Sequence, residues 1–206
     1  MQWWDVNNEA FKVLNYSLSY VELVGTIFGL LSVFLAAKAN IITWPTGIIN
    51  ELSFFIIFYQ VQLYSDMFLQ LFFFVVTLYG WYFWNKNKEE KKVRTLNSAR
   101  RSWYIAIIFL GTVILAILMS KIHQAWPDYF PEPAAYPIPD AFTTVASIVA
   151  TVLLSRRLIE TWFVWIAVDI VAIGLYFERD IKLIAIEYIF FLVLCIFGYL
   201  KWRRLT

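Results

Sequence analysis

The chain repeats itself at a fixed offset of 118 positions. Acidic residues, threonines, tryptophans and glycines recur across that offset without a gap: Glu22 and Asp140, Thr26 and Thr144, Trp44 and Trp162, Glu51 and Asp169, Gly80 and Gly198, and Trp84 and Trp202. The paired positions lie in or beside long apolar runs. Two similar halves built from apolar helices are typical of secondary transporters, so the repeat predicts a membrane protein that moves a solute.

The apolar runs are long enough to cross a bilayer. Hydrophobic residues make up 61% of the 206 residues, more than a soluble domain of this length carries. A spanning helix needs roughly 17 to 25 apolar residues. Seven spans are therefore predicted: Tyr20 to Ala37, Thr43 to Gln62, Asp66 to Trp84, Trp103 to Ser120, Asp140 to Leu154, Trp162 to Phe177 and Lys182 to Leu200. The expected fold class is an all-α polytopic membrane protein.

The count of seven helices explains the repeat. Three helices reverse the direction of the chain, so a second triplet attached directly would be inverted. One extra helix restores the direction, which predicts two parallel three-helix repeats joined by a linker helix (3+1+3). The expected organisation is a first repeat at 18–85, a basic cytoplasmic loop with the linker helix at 86–124, and a second repeat at 140–203.

Two segments are expected to lie outside the helical repeats. Residues 1–17 place Trp3, Trp4, Phe11 and Leu14 among polar residues, which predicts a short helix over residues 2 to 16 lying on the membrane surface. They have no basic n-region and no small-residue cleavage site, so a signal peptide is not expected. Residues 125–139 are rich in proline and are interpreted as an external loop.

Basic residues predict the orientation of the chain. If the third span ends in the cytoplasm, 13 of the 17 lysines and arginines lie on the cytoplasmic side: Lys38, Lys86, Lys88, Lys91, Lys92, Arg94, Arg100, Arg101, Arg156, Arg157, Lys201, Arg203 and Arg204. By the positive-inside rule, the N-terminus is then outside and the C-terminus is cytoplasmic.

Two carboxylates are the strongest candidates for a substrate site. Glu51 and Asp169 are repeat partners near the middle of spans 2 and 6, and each follows a tryptophan (Trp44 or Trp162) by seven residues. Seven residues are about two helical turns, so carboxylate and indole share a helix face, which Trp165 joins. Ionisable groups within a bilayer usually face a cavity. The alternative is that the carboxylates bond neighbouring helices and the tryptophans anchor the interface.

Other polar residues in the spans are weaker candidates. Asn50 precedes Glu51, Gln70 and Thr77 are seven apart in span 3, and Tyr188 is the repeat partner of Gln70. Thr144 in span 5 and Glu187 in span 7 complete the predicted substrate-binding set. Small hydroxyl groups in membrane helices more often bond their own backbone or a neighbouring helix, so that alternative stays open for Thr144.

This set of side chains favours a neutral or cationic flat ring attached to a sugar. Indole faces attract cations and rings, amides and hydroxyls suit a sugar, and the absence of buried basic residues disfavours a phosphate. One cysteine and one histidine make a metal cluster improbable, and no cofactor is expected. No nucleophile elbow or other enzyme motif is present, so an enzyme is not expected.

Several motifs resemble the PnuC family of nicotinamide riboside transporters. They are Trp44-Pro45-Thr46-Gly47, Leu63-Tyr64-Ser65-Asp66 with Leu69-Gln70, Tyr79-Gly80-Trp81 with Trp84, and Trp162-x-x-Trp165-x-x-x-Asp169. The resemblance implies a 3+1+3 fold related to the SWEET transporters, in a homotrimer of the bacterial inner membrane. It also implies facilitated diffusion of nicotinamide riboside by alternating access, with a cytoplasmic nicotinamide riboside kinase trapping the product. No nucleic-acid partner is expected.

The resemblance leaves the substrate and the energetics open. Other members of the wider family carry thiamine, riboflavin or deoxynucleosides, and proton-coupled uptake through Glu51 or Asp169 is an alternative to passive diffusion. A structural or regulatory membrane protein is a further alternative, although it would not require matched carboxylates in the membrane.

Overall fold

A computed structural model describes residues 4–13, 16–60, 64–86, 92–128, 134–178 and 182–206. In this part of the chain a two-stranded hairpin, β1 (Glu9–Val13) and β2 (Tyr16–Ser19), precedes seven helices. The helices are α1 (Tyr20–Ala37), α2 (Thr43–Gln60), α3 (Tyr64–Lys86), α4 (Ser98–Ala125), α5 (Pro137–Ser155), α6 (Glu160–Glu178) and α7 (Lys182–Trp202). Some residues used in the predictions lie outside the described ranges: Trp3, Leu14, Gln62, Leu63, Lys88, Lys91 and residues 129–133 of the predicted loop.

Five of the seven helices are long and apolar enough to cross a membrane by themselves. These are α1, α4, α5, α6 and residues 184–202 of α7, judged on the described residues. The other two, α2 and α3, are 18 and 23 residues long and pack between membrane-spanning neighbours. Their backbone hydrogen bonds are made within each helix, as a bilayer requires.

The predicted surface helix over residues 2 to 16 is wrong. The chain instead forms an antiparallel hairpin in which Phe11 lies opposite Leu18 and Val13 opposite Tyr16. The physical reason is the alternation of apolar and polar residues over 11–13 and 16–19, which has the two-residue period of a strand. The adjacent apolar residues Ala10 and Phe11 interrupt this period where the pairing register shifts. Ser19 then ends the hairpin and starts α1, because its hydroxyl accepts from the Glu22 backbone N–H while the Glu22 carboxylate accepts from Ser19 N at 2.8 Å.

Four helices begin earlier than the apolar pattern predicts, α3 and α6 by two residues each and α4 and α5 by more. α5 begins at Pro137 rather than Asp140, because a proline at the first helical position has a suitable φ and lacks only an N–H that would be unpaired there. The last three residues of the predicted proline-rich loop are therefore helical. α4 begins at Ser98 rather than Trp103, because the Asn97 side chain accepts from Arg100 N at 2.9 Å and caps a polar first turn.

Helix packing brings the two ends of the chain together. α1 packs against α2 and α7, α3 packs against α2 and α5, and α6 packs between α5 and α7. α4 packs on α5 and buries little of its own surface, with Thr112 and Ala116 as its buried residues. Most of the α4 surface is apolar and exposed, which suits contact with lipid.

The two halves turn in the same way between their first two helices. Ala39 and Arg157 are 118 positions apart and both have a positive φ, of 50° and 54°. Thr43 and Thr161 then each donate a side-chain hydrogen bond of 2.8 Å to the carbonyl eleven positions earlier. The offset seen in the sequence is therefore also an equivalence of backbone geometry.

Candidate functional site

The two carboxylates predicted to bind substrate are buried and equivalently placed. Glu51 on α2 is 7% exposed and Asp169 on α6 is 2% exposed. The Thr77 hydroxyl on α3 donates to Glu51 Oε1 at 2.5 Å, and the buried Cys195 thiol on α7 lies close enough to Asp169 to interact with it. Thr77 and Cys195 are themselves 118 positions apart, so each half contains one carboxylate and one donor.

The second oxygen of each carboxylate has no partner. Glu51 Oε2 and Asp169 Oδ2 are buried and make no hydrogen bond to any part of the chain that the structure describes. Leaving a buried acceptor unsatisfied costs about 1–3 kcal/mol, and more for a charged group. Two such acceptors at equivalent positions are therefore a strong indication of a ligand site.

Trp44 and Trp162 lie in a packed cluster between the halves. Each indole rests against a helix glycine, Trp44 against Gly80 and Trp162 against Gly198, where a Cβ at Gly198 would be 2.6 Å from the Trp162 ring. Only glycine allows this approach. Their Nε1 atoms have no partner among the described residues. The geometry accounts for both indoles by packing, and their contact with substrate stays a prediction.

The tryptophan cluster consists of Trp44, Trp84, Trp162 and Trp202. Trp44 meets Trp84 edge to face with ring centroids 5.1 Å apart, and Trp162 meets Trp202 likewise at 5.4 Å. Trp84 and Trp202 approach each other at 6.2 Å and join the two pairs. Edge-to-face pairs at these distances stabilise a core beyond the area they bury.

Two indole hydrogen bonds cross between the halves. Trp84 Nε1 donates to Ser155 O at 3.1 Å, and Trp202 Nε1 donates to Ala36 O at 3.0 Å. The first bond runs from α3 to the end of α5, and the second runs from α7 to the end of α1. They satisfy carbonyl groups that the helix ends leave without an intrahelical donor.

Substituting Trp202 with phenylalanine should lower the stability of the fold. An aromatic ring remains, but the indole hydrogen bond to the Ala36 carbonyl is lost. Because Ala39 N still donates to this carbonyl at 2.8 Å, the cost should be that of one ordinary hydrogen bond, about 0.5–1.5 kcal/mol. Thermal unfolding of the purified protein in detergent should show a lower midpoint for W202F. Trp126, which is 59% exposed, provides the matched control, W126F. Equal midpoints for W202F and the wild type would show that the bond contributes nothing.

Asn50 reaches the contact between α1 and α7. Its side-chain amide donates to Gly25 O at 2.8 Å. The same amide lies over Gly29, where an added Cβ would be 2.7 Å from Asn50 Nδ2 and 3.8 Å from the Phe191 ring. The side chains of Asn50 on α2 and Phe191 on α7 therefore both approach α1 at Gly29.

Tyr188 on α7 lies near Asp169, whereas the adjacent Glu187 interacts with Thr26 and Glu22 of α1. Tyr188 stacks on Tyr176 with ring centroids 5.5 Å apart, and lies close enough to Asp169 and Glu187 to interact electrostatically with both. The structure therefore brings together three of the predicted site residues, from α6 and α7.

The remaining predicted residues are less clearly placed in a site. The Thr144 hydroxyl donates to Asp140 O at 2.9 Å within its own helix, which is the alternative considered for it. Trp165 is half-buried and packs against the tryptophan cluster. Gln70 is half-buried on α3.

Sequence reasoning missed several neighbours of the carboxylates. Cys195 could have been found, because it stands at the repeat offset from Thr77 and both side chains are small donors. Tyr176 and Phe191 carry no such signal, since a single aromatic residue in an apolar helix is ordinary.

A half-open cavity of about 490 Å³ lies elsewhere, at the basic end of α4, α6 and α7. Within it Glu160 accepts from Arg101 Nη2 at 3.0 Å and from Leu96 N at 2.9 Å. It contains none of the predicted site residues.

Comparisons with known proteins identify the family. The family model described as "Nicotinamide mononucleotide transporter" matches residues 19–204. The chain is 30% identical to the nicotinamide riboside transporter PnuC of Escherichia coli (strain K12), covering 91% of this chain and 86% of that protein. It is also 30% identical to the riboflavin/roseoflavin transporter RibM of Streptomyces davaonensis, covering 98% and 92%.

A solved structure is similar as well. The crystal structure of the vitamin B3 transporter PnuC matches with a TM-score of 0.69 and 25% identity, over 90% of this chain and 81% of that one. These matches confirm the PnuC resemblance and the predicted all-α polytopic membrane fold. They also agree with the expectation of a transporter rather than an enzyme. The chain belongs to the PnuC family of multi-pass transporters of the bacterial inner membrane.

Proposed function

We propose that the protein carries nicotinamide riboside across the inner membrane by facilitated diffusion with alternating access. The observation that carries this proposal is the pair of buried carboxylates whose second oxygens, Glu51 Oε2 and Asp169 Oδ2, have no protein partner among the described residues. Nicotinamide riboside joins a pyridinium cation to a ribose. It therefore offers positive charge and hydroxyl donors to acceptors that would otherwise remain unsatisfied.

The distribution of basic residues supports the same substrate. No lysine or arginine stands in the middle of any of the seven helices, so the membrane interior offers no partner to a phosphate. A phosphorylated product would be poorly bound, and a cytoplasmic nicotinamide riboside kinase would then trap the vitamin after entry. Passive diffusion needs only this trap to sustain net uptake.

The proposed architecture is two parallel three-helix repeats joined by α4, with the N-terminus outside and the C-terminus cytoplasmic. Support comes from the equivalent turns at Ala39 and Arg157 and from the equivalent carboxylate–donor pairs. Among the described residues, α5 is the helix against which α4 packs extensively. This agrees with the proposed role of α4 as a linker. A homotrimer is proposed on the family resemblance.

Riboflavin is the second candidate substrate, because RibM matches 98% of this chain. The two candidates differ in charge, since the flavin ring is neutral and the pyridinium ring is a cation. Carboxylates with unpartnered oxygens favour the cation. Aromatic side chains such as Tyr176 and Tyr188 would accept either ring.

Uptake into proteoliposomes should separate these possibilities. Labelled nicotinamide riboside should enter vesicles containing the protein and equilibrate without accumulating, with or without a pH gradient. Excess unlabelled nicotinamide riboside should compete, whereas its phosphorylated nucleotide should not. Uptake of riboflavin without uptake of nicotinamide riboside would reassign the substrate, and uphill accumulation driven by the pH gradient would replace diffusion with proton coupling.

A further inference from the structure

Each carboxylate of the candidate site lies beside one small donor. Thr77, a weak candidate from the sequence, and Cys195, which the sequence did not indicate, are both 3% exposed and stand 118 positions apart on α3 and α7. The Thr77 hydroxyl donates to Glu51 Oε1, and Cys195 stands at the equivalent position, where its thiol interacts with Asp169. Because each donor has a single hydrogen, one oxygen of each carboxylate is engaged and the other is left for a ligand.

The two donors differ in strength. A hydroxyl donating to a carboxylate at 2.5 Å makes a short, charge-assisted bond, and such bonds are about twice as strong as neutral ones. A thiol is a weak donor. The interaction that positions Glu51 is therefore stronger than the one available to Asp169.

From this arrangement we infer that Thr77 and Cys195 are positioning residues, which direct the free oxygens of Glu51 and Asp169 toward the substrate. We further infer that their unequal donor strengths make two equivalent half-sites chemically different. An asymmetric solute needs such a difference in a site built by duplication. The inference rests on the proposed function, because it assumes that Glu51 and Asp169 contact nicotinamide riboside.

Substitutions at Cys195 test the role of the donor. Removing it in C195A should weaken nicotinamide riboside binding by roughly 3- to 10-fold, and T77A, which removes a charge-assisted bond, by at least about 10-fold. C195S restores a donor and should bind at least as tightly as the wild type. T112A is the matched control, because Thr112 is buried on α4 away from the site. Equal affinity of C195A, C195S and the wild type would overturn the inference.

The single cysteine also provides a spectroscopic test. Since the chain has one thiol, purified protein should show one infrared S–H stretching band. The band should shift in D169N, which alters the acceptor, and should shift again when nicotinamide riboside binds. A band that is the same in the wild type and D169N would overturn the inference.

The results of these two tests distinguish loss of the positioning roles from loss of the proposed function. If wild-type protein does not bind nicotinamide riboside, the proposed function is lost. The infrared comparison of wild type and D169N then still decides whether Cys195 holds Asp169. If wild type binds but C195A and T77A match it, the function stands and the positioning roles are lost. Rescue by C195S also excludes a general loss of folding as the cause.

Discussion

Replacing Asp169 with asparagine should greatly slow nicotinamide riboside uptake while leaving the protein folded. Asparagine has nearly the same volume, so the packing around a side chain that is 2% exposed is kept. The negative charge is lost, and with it a charge-assisted contact to the pyridinium substrate. Such contacts contribute about 1.5–3 kcal/mol, so affinity should fall roughly 10- to 150-fold. The measurement is the initial rate of uptake into proteoliposomes at a substrate concentration near the wild-type half-saturation.

The matched control is Glu178→Gln on the same helix. Glu178 is exposed at the end of α6, so its replacement by glutamine removes the same charge from the chain without touching the candidate site. E178Q should transport as the wild type does. If D169N also transports at the wild-type rate, the carboxylate has a structural role and the proposed site is wrong.

Replacing Gly198 with alanine should destabilise the fold by overpacking the tryptophan cluster. The added Cβ would lie 2.6–2.7 Å from three atoms of the Trp162 ring, well inside van der Waals contact. The ring has little space to move, because Trp162 is 1% exposed and packed against Trp202. Overpacking of a filled core costs about 1–3 kcal/mol, which outweighs the better helix propensity of alanine.

Gly174 provides the control for this substitution. It stands in α6, and an added Cβ there would meet nothing within 4 Å. G174A should therefore keep or raise the unfolding midpoint, because alanine favours a helix over glycine by about 0.5–1 kcal/mol. G80A should resemble G198A, since Gly80 faces Trp44 in the equivalent way. An unchanged midpoint for both G80A and G198A would contradict the packing role assigned to the tryptophan cluster.

The sequence predicts the positions of the helices well because a long run of apolar residues by itself indicates a membrane-spanning helix. A bilayer admits helices and closed barrels, so runs of about twenty apolar residues leave little freedom. Hydrophobic content alone does not predict the hairpin at Glu9–Val13 and Tyr16–Ser19, because the signal of a strand is its two-residue period. The start of α5 at Pro137 is not predicted either, because a proline-rich segment usually indicates a loop, although the first helical turn accepts proline.

The candidate site shows what a repeat can and cannot reveal. Pairing across the offset found Glu51 and Asp169, which the structure buries with matched unpartnered oxygens. The same pairing also selected Trp44 and Trp162, which pack on Gly80 and Gly198. A repeat preserves packing and chemistry alike, so spacing alone does not separate an indole that fills a core from one that faces a ligand.

The central proposal is that Glu51 and Asp169 together bind one substrate molecule. Equilibrium titration of nicotinamide riboside into purified wild type, E51Q, D169N and the control E178Q tests it most directly. The account predicts saturable binding at one site in the wild type and E178Q, and affinity lowered at least about tenfold in both E51Q and D169N. Wild-type affinity retained in E51Q and D169N, or no binding by the wild type, would contradict it.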